Sequence, residues 1–256
     1  MFTKAIVRQP SENFADGLTS VDLGVPDVDR ALGQHRAYCE ALLRFGLELI
    51  ELEPDAEFPD STFVEDTAIV TDRCAVVTRP GAASRTCETV SIAAALAPYY
   101  DKLSRIEPPG TVDGGDVCQL DEHFLIGISD RTNQDGARQL AELLAAAGYT
   151  SRNVDIRGLD GLLHLKSGIS YLGDGRVLVT EALAGEKGIE QFEMVRVPNG
   201  EEYAANCVLV NGCILFANGF PRTKSMLAEL GYQIIDLEMS EFRKMDGGLS
   251  CLSLRF

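Results

Sequence analysis

A cysteine that follows a pair of glycines is the residue in this sequence best suited to covalent chemistry. Cys251 comes three residues after the pair Gly247-Gly248 and opens a short alternating run that is typical of a strand. Glycines allow positive φ angles and close approaches that other residues do not, so a thiol placed here is held by rigid backbone while it faces open space. This setting favours a nucleophile. The alternative is a small buried apolar side chain, which is what most free cysteines are.

The other candidates are carboxylates and one histidine at the starts of predicted β-hairpins: Asp60, Glu65, Asp66, Asp113, Asp116 and His164. Carboxylates bind a planar guanidinium in two-pronged fashion, and Asp60, Glu65 and Asp66 fit that role. An imidazole can protonate a leaving group and then deprotonate water, and an acid can orient the imidazole; His164 and Asp113 fit these two roles. Each residue also has a structural alternative, because acids often lie in solvated turns and a histidine among leucines can be a hydrogen-bonded core residue.

The elements that must position these residues repeat a pattern of a hairpin followed by a helix. Hairpins are predicted at 65–78, 115–127, 167–179 and 205–216. Helices are predicted at 27–45, 86–99, 134–148 and 223–231, with a weaker one after the third hairpin. Single strands are predicted at 3–8, 48–53 and 233–237. The run after Cys251 can pair with the N-terminal region and so complete a fifth unit.

Units of this kind, spaced roughly 40–50 residues apart, indicate a repeat array or a propeller. The predicted fold class is therefore α/β, a five-fold pseudosymmetric αβ-propeller of ββαβ units, with residues 1–256 forming one catalytic domain. In such a ring the hairpin starts converge on the central axis, so a thiol, an imidazole and carboxylates would meet in one pocket. The alternative is an ordinary α+β fold whose hairpins look alike by chance.

Charge and cysteine spacing limit the partners and the location. The formal net charge is −16, which argues against nucleic acid and anionic membranes and suits a small cationic substrate. The seven cysteines contain no C-x-x-C pair, so neither a disulfide framework nor a metal site is predicted. No signal peptide and no apolar run of membrane-spanning length is present, and the sequence predicts a cytoplasmic protein with reduced thiols. A homodimer is compatible with the sequence, which does not fix the oligomeric state.

Eight short segments, in this order, together resemble a known family over the whole chain: DGLT at 16–19, FPDSTFVED at 58–66, TRPG at 78–81, GTVDGGD at 110–116, RTN at 131–133, LHLK at 163–166, YAANC at 203–207 and DGGLSC at 246–251. The family is that of the dimethylarginine dimethylaminohydrolases, which belong with arginine deiminases and amidinotransferases to a superfamily of guanidine-modifying enzymes. The resemblance implies a five-bladed αβ-propeller, the pentein fold, in agreement with the repeat pattern.

The resemblance also implies roles for individual residues. Cys251 would be the nucleophile, His164 the general acid and base, and Asp113 the residue that orients the histidine; some relatives have Glu at that position. The implied substrate contacts are Asp66 with Glu65 beside it for the guanidinium, the Leu18 carbonyl and Asp60 for the α-amino group, Arg85 and Arg131 for the α-carboxylate, and Met245 and Asp246 from the glycine loop.

The implied reaction is hydrolysis of Nω-methylated L-arginine to L-citrulline and dimethylamine or methylamine, through a covalent S-alkylthiouronium on the cysteine. The resemblance implies no metal and no organic cofactor. One alternative is an arginine deiminase that releases ammonia, although those enzymes usually have a helical insertion for which this chain is too short. The other is a non-catalytic propeller that binds ribosomal RNA surfaces, against which the acidic charge and the retained cysteine, histidine and acids count.

Overall fold

Short strands and five α-helices form the regular structure of the protein, which is a computed structural model describing residues 1–256. The strands in chain order are β1 Lys4–Arg8, β2 Glu48–Leu52, β3 Ala68–Val70, β4 Ala75–Val77, β5 Leu103–Arg105, β6 Val117–Leu120, β7 His123–Ile128, β8 Thr150–Asp155, β9 Ile169–Gly173, β10 Arg176–Val179, β11 Glu193–Arg196, β12 Val208–Val210, β13 Cys213–Ala217, β14 Gln233–Leu237 and β15 Leu254–Arg255. The helices are α1 Val28–Arg44, α2 Thr89–Leu96, α3 Gln134–Ala146, α4 Pro221–Glu229 and α5 Ser240–Arg243.

The strands form five three-stranded sheets that share one connectivity: β15-β1-β2, β3-β4-β5, β6-β7-β8, β9-β10-β11 and β12-β13-β14. In every sheet the middle strand pairs antiparallel with one neighbour and parallel with the other. A parallel neighbour requires a crossover connection, usually through a helix, and α1, α2, α3 and α4 provide it in four of the five sheets. The predicted repeat of ββαβ units is therefore confirmed.

The two longest helices begin where polar side chains cap them. The Asp27 side chain accepts a hydrogen bond from the Arg30 N–H at 3.0 Å, and the Asn133 side chain accepts one from the Gly136 N–H at 2.8 Å. Each cap satisfies a backbone donor that has no partner within the first turn. In α1 the buried face includes His35.

Three sequence predictions about the elements are wrong in detail. The crossover from β10 to β11 contains turns and no helix. The predicted helix at 86–99 consists of the 3-10 helix Ala83–Glu88 followed by α2. The first and second hairpins begin in 3-10 turns, Val64–Thr67 and Gly114–Asp116, before their strands start. These turns hold residues with acidic side chains that accept hydrogen bonds from backbone N–H groups, which competes with regular strand pairing.

Contacts along the chain divide it into two compact units, and each contains complete sheets. Unit 1 comprises residues 1–64 and 206–256 and holds the sheets β15-β1-β2 and β12-β13-β14. Unit 2 comprises residues 65–205 and holds the other three sheets. The two ends of the chain meet in unit 1, where Ala5 pairs with Arg255 and Ile6 with Leu254, as the sequence predicts for the fifth unit.

The core of unit 1 contains a cluster of aromatic rings. Phe14 lies with its ring centroid 5.9 Å from that of Phe63 and 5.5 Å from that of Phe242, within the range in which tilted aromatic pairs attract one another. In unit 2, apolar side chains of the β6-β7-β8 sheet pack against α3. None of the helices is both long and apolar enough to pass through a lipid bilayer.

Candidate active site

Cys251 lies in a 3-10 turn of unit 1, Ser250–Leu252, and the strand β15 begins only at Leu254. The prediction that the cysteine opens a strand is therefore wrong by three residues. The Gly248 N–H points at the Cys251 Sγ at 3.4 Å, and the side chain is partly exposed. This backbone N–H therefore faces the sulfur of the predicted nucleophile.

The glycine pair before the cysteine is needed for close approach and not for positive φ angles. A Cβ on Gly247 would overlap the Phe63 ring, and one on Gly248 would overlap the Asn206 side chain. The positive φ in this loop, 57°, belongs to Asp246. Asn206 receives a hydrogen bond from the Ser250 N–H at 3.0 Å and donates one to the Ser250 Oγ at 3.0 Å, so it fixes the turn before the cysteine.

Four of the predicted substrate-binding residues lie together in unit 1. The Leu18 N–H donates to both oxygens of the buried Asp60, at 3.0 and 3.2 Å. Gly17 makes this approach possible, because a Cβ there would lie 2.5 Å from the Asp60 Oδ1 and 3.2 Å from the Met245 Cε. Asp246 is joined to the same segment, since its Oδ2 accepts a hydrogen bond from the Ser20 N–H at 2.5 Å.

In unit 2 the structure brings His164 and Asp113 into hydrogen-bond contact. The His164 Nε2 lies 3.1 Å from the Asp113 Oδ2, and Asp113 is fully buried. The other Asp113 oxygen accepts a hydrogen bond from the Gly81 N–H at 2.8 Å, which holds the carboxylate in place. A side chain at position 115 would clash with the histidine, because a Cβ on Gly115 would lie 2.7 Å from the His164 Nδ1.

The surroundings of His164 favour its charged form. Burial alone would lower the pKa of the imidazole, but the carboxylates of Asp66, Asp116 and Asp113 outweigh it and raise the pKa to about 9. An ionisable group that lies next to groups of opposite charge keeps its own charge over a wider pH range. At neutral pH His164 is therefore an imidazolium that is ready to give up a proton.

Asp66 is paired with a buried arginine. The Arg85 Nη1 lies 2.5 Å from the Asp66 Oδ2, and the same guanidinium binds the Glu88 carboxylate, with Nη2 to Oε2 at 2.9 Å. Burial would raise the pKa of Asp66, but the charges of Arg85 and His164 and the hydrogen bonds from Arg85 and the Gly115 N–H lower it to about 2. The pKa of Arg85 is raised well above its usual value, because Asp66 and Glu88 outweigh the effect of burial.

The two predicted carboxylate-binding arginines differ in their surroundings. Arg85 is engaged by Asp66 and Glu88, and sequence reasoning missed Glu88 although it lies three residues further along the same 3-10 segment. Arg131 is partly buried and its guanidinium forms neither an ion pair nor a hydrogen bond, so it is available to an anionic ligand. The Arg131 backbone packs so closely on Gly81 that a Cβ there would overlap it.

Glu65 is also buried and paired. Its Oε1 lies 2.5 Å from the Lys166 Nζ. Lys166 belongs to the 3-10 turn Leu165–Ser167 directly after His164, so this ion pair connects the histidine turn to the acidic turn that holds Asp66. The sequence contained the lysine in the LHLK segment, but nothing in its spacing indicated a partner.

One group of potential metal ligands exists in unit 2. Asp66, Asp113 and His164 each offer one ligand atom, and these atoms lie within 4.8 Å of one another. A metal needs a deprotonated imidazole, whereas the pKa of His164 is raised to about 9 and Asp66 is already bound by a guanidinium. The donor set therefore fits an ion-pair network better than it fits a metal.

Comparison with known proteins gives the same picture over the full length. The family model described as arginine deiminase matches residues 57–205, more than half of the chain. The N(G),N(G)-dimethylarginine dimethylaminohydrolase of Pseudomonas aeruginosa is 44% identical over 257 residues, which cover 100% of both chains.

Solved structures agree with the sequence comparison. A variant of the Pseudomonas aeruginosa enzyme with a cysteine replaced by serine, complexed with citrulline, superimposes with a TM-score of 0.97 at 44% identity over 100% of both chains. A dimethylarginine dimethylaminohydrolase with a histidine replaced by glycine, as the adduct with S-methyl-L-thiocitrulline, gives 0.96 at 44% identity over 100% of both chains. These matches confirm the predicted pentein fold, and the chain belongs to the dimethylarginine dimethylaminohydrolase family.

Proposed function

We propose that the protein hydrolyses Nω-methylated L-arginine, either asymmetric dimethylarginine or monomethylarginine, to L-citrulline and dimethylamine or methylamine. The observation that carries this proposal is the full-length match at 44% identity to an enzyme named for this reaction. The site supports it with a buried imidazolium beside carboxylates in unit 2 and a thiol facing a backbone N–H in unit 1. These are the parts that an acid-assisted nucleophilic substitution requires.

The proposed reaction has two steps. The Cys251 thiolate attacks the guanidinium carbon, a C–S bond forms, and the C–N bond to the methylated amine breaks as His164 gives its proton to the leaving nitrogen. The neutral imidazole then takes a proton from water, whose oxygen attacks the carbon of the S-alkylthiouronium. Breaking of the C–S bond restores the thiolate, and transfer of the hydroxyl proton to the released amine or to water leaves neutral citrulline. Asp113 holds the imidazole in place throughout, through the 3.1 Å contact.

We assign the substrate contacts as follows. Asp66, with Glu65 beside it, binds the guanidinium, and its pKa of about 2 keeps it ionised. The Leu18 carbonyl and Asp60 bind the α-amino group, and the hydrogen bond from the Leu18 N–H to Asp60 supports this pairing because it holds the two residues together. Arg131 and Arg85 bind the α-carboxylate, and the lack of an ion pair at Arg131 supports its part. Met245 and Asp246 complete the contacts from the glycine loop.

The role of Arg85 requires an exchange of partners. Its guanidinium pairs with Asp66 and Glu88 when no substrate is bound. Binding of the substrate guanidinium to Asp66 would replace one cation by another on the same carboxylate. Arg85 would then keep Glu88 and offer its remaining N–H groups to the substrate carboxylate.

Replacement of Cys251 by Ser tests the proposal. The variant should fold, bind dimethylarginine and form no citrulline, because a neutral hydroxyl is a poor nucleophile without a strong base. Citrulline production at the normal rate by Cys251→Ser would remove the cysteine from the reaction and the proposal with it.

A second candidate reaction is deimination of arginine itself, which the arginine deiminase family model at residues 57–205 favours. Incubation with arginine and with dimethylarginine at equal concentration separates the two. Faster citrulline formation from arginine, with release of ammonia, would favour the deiminase.

We further infer that residues 1–256 act as one catalytic domain in the cytoplasm, on a small methylated arginine and without nucleic acid or a membrane as partner. None of the seven cysteines forms a disulfide, which fits a reducing compartment. The net charge of −16 fits a cationic substrate. A homodimer stays a prediction, which the molar mass in solution tests.

A further inference from the structure

Asp116 is a fully buried carboxylate of unit 2 that has no part in the proposed reaction. It is the last residue of the 3-10 helix Gly114–Asp116, directly before β6. Its Oδ2 accepts a hydrogen bond from the Ser129 Oγ at 2.6 Å and its Oδ1 accepts one from the Leu165 N–H at 3.0 Å. Burial raises the pKa of this carboxyl, and the charge of His164 and the nearby hydroxyls counteract part of the rise. A buried charge is tolerated when it receives several hydrogen bonds, and here each of the two carboxylate oxygens receives one.

The Ser129 donor leads to two predicted site residues through further hydrogen bonds. The Ser129 Oγ accepts from the Arg131 N–H and from the Thr132 N–H, each at 3.0 Å. The Thr132 Oγ1 in turn accepts from the Asp113 N–H at 3.0 Å. The Ser129 hydroxyl therefore donates its proton to the Asp116 carboxylate and uses both lone pairs for backbone N–H groups, which is the full capacity of a hydroxyl.

The Leu165 N–H, which is the second donor to Asp116, leads to the histidine. Leu165 directly follows His164, so the bond between the Leu165 N–H and Asp116 fixes the peptide unit that joins these two residues. Close packing holds the carboxylate in turn, because a Cβ on Gly127 in β7 would lie 3.0 Å from the Asp116 Oδ1 and 3.0 Å from the Leu165 Cβ.

We infer that Asp116 is a positioning residue, which holds the backbone at His164, Asp113 and Arg131 in one fixed arrangement through its hydrogen bonds from Leu165 and Ser129. It touches neither the substrate nor the reacting atoms. The inference rests on the roles proposed above for these three residues, and it adds the residue that couples them. One carboxylate thereby connects the general acid, the acid that orients it and the guanidinium expected to bind the substrate carboxylate.

Replacement of Asp116 by Asn is the direct test, because it keeps the shape and changes one acceptor into a donor. The amide nitrogen would face either the Ser129 hydroxyl or the Leu165 N–H, and that part of the backbone must move. We expect kcat to fall on the order of 10²-fold, as for a misplacement of about 1 Å in an active site. The alkaline limb of the pH profile should also move to lower pH, since one of the three carboxylates facing His164 is lost while Asp66 and Asp113 remain.

Single hydroxyl variants separate the branches and cover the case in which Asp116→Asn does not fold. Ser129→Ala should raise KM several-fold with a smaller change in kcat, because it releases the Arg131 backbone, whereas Ser129→Thr keeps the hydroxyl and should restore KM. Thr132→Val should lower kcat, because it releases the Asp113 backbone. Thr71→Val is the matched control: the Thr71 Oγ1 also accepts from the N–H groups two and three residues ahead, at 3.1 and 2.9 Å. It should lower the melting temperature and leave kcat and KM unchanged.

These outcomes distinguish this inference from the proposed reaction. If the unchanged protein forms citrulline and folded Asp116→Asn has normal kcat, KM and pH profile, Asp116 has no positioning role although the reaction stands. Equal kinetic losses in Ser129→Ala, Ser129→Thr and Thr71→Val would likewise overturn it, since a general loss of stability would then explain all three. If the unchanged protein forms no citrulline, the proposed reaction fails first.

Discussion

At the scale of single residues, the protonation state of His164 decides whether this side chain acts first as a general acid or as a general base. Its imidazole faces three carboxylates from two segments, Asp66, Asp113 and Asp116, and their combined charge outweighs the effect of burial on its pKa. A histidine with an ordinary pKa would be mostly neutral at pH 7. The site therefore supplies a general acid at the pH where a lone histidine would act as a base.

The three histidines of the chain should titrate far apart. Burial lowers the pKa of His35 to about 4, burial and Arg152 lower that of His123, and the carboxylates raise that of His164 to about 9. An NMR titration of the ring protons checks this directly, with His164→Gln to identify its signal. Activity that needs the imidazolium should fall as pH rises through about 9. A midpoint for His164 below 7 would contradict this description of the site.

The raised pKa of His164 also makes the stability of the protein depend on pH. Because the pKa of folded His164 lies above its unfolded value of 6.5, its contribution to the free energy of unfolding is complete below pH 6.5 and disappears as pH rises through about 9. His164→Gln should remove this part of the pH dependence. Melting temperatures of both proteins between pH 6 and pH 10 measure it, and parallel curves would show that the histidine contributes nothing.

Variants of the two arginines that are expected to bind the substrate carboxylate should distinguish an effect on KM from an effect on the free energy of unfolding. Arg85→Met leaves Asp66 and Glu88 buried without their cation, and loss of one partner of a buried ion pair costs about 3–5 kcal/mol. Arg131→Met breaks no ion pair, so it should raise KM and change the free energy of unfolding by less than about 0.5 kcal/mol. Denaturant unfolding and steady-state kinetics of both variants check the contrast. Equal loss of stability in the two would contradict it.

At the scale of elements, the turn that holds the cysteine depends on close packing around glycine. Gly247 and Gly248 lie where a Cβ would overlap Phe63 and Asn206, whereas Gly185 has no atom near the place of its missing Cβ and has no positive φ. Gly248→Ala should therefore displace the Asn206 side chain that fixes Ser250, and reduce activity together with about 1–3 kcal/mol of stability. Gly185→Ala should leave activity unchanged. Thermal unfolding and citrulline assays of both variants decide it; a fully active Gly248→Ala would show that the turn tolerates a side chain.

Sequence patterns predicted the elements well where a local signal exists. The Asn211-Gly212 turn has φ values of 48° and 88°, as a two-residue hairpin requires, and β14 was predicted with its observed bounds at Gln233 and Leu237. The third strands β5, β8 and β11 were not located. They are three to six residues long and mostly exposed, so their apolar pattern is too weak to distinguish from a loop.

The same limit applies to the site. The types and positions of Cys251, His164 and the acids pointed to nucleophilic chemistry, whereas the roles of Arg85 and Arg131 came only from family resemblance. The partners Lys166 and Asn206 had no local signal, because a buried contact between distant segments leaves no periodicity in the sequence. Glu88 lies only three residues after Arg85, so its spacing was a local signal that was not used. Asp116 was visible as an acid at a hairpin start, but only the structure shows its hydrogen bonds from Ser129 and Leu165.

At the scale of the whole molecule, the five sheets share one arrangement of strands. The sheet β15-β1-β2 is completed by both ends of the chain. Unit 1 is discontinuous in sequence, because it consists of residues 1–64 and 206–256, which are separated along the chain by the whole of unit 2. A discontinuous unit cannot be completed by either of its segments alone. We therefore expect residues 1–256 to unfold as one domain.

Calorimetry tests this expectation. One transition is predicted, with the calorimetric enthalpy equal to the van't Hoff enthalpy. The variants Arg85→Met in unit 2 and Gly248→Ala in unit 1 should shift that single transition as a whole. Two separate transitions, with each variant moving only one of them, would show that the two units unfold independently.

The central claim is that Cys251 forms a covalent bond to the guanidinium carbon of a methylated arginine. Acid quenching during turnover with dimethylarginine, followed by peptide mass spectrometry, measures this directly. We expect the peptide that contains Cys251 to gain the mass of dimethylarginine minus dimethylamine, and no such gain in Cys251→Ser. Citrulline formation in the same sample with the peptide unmodified, or with the added mass on another residue, would contradict the account.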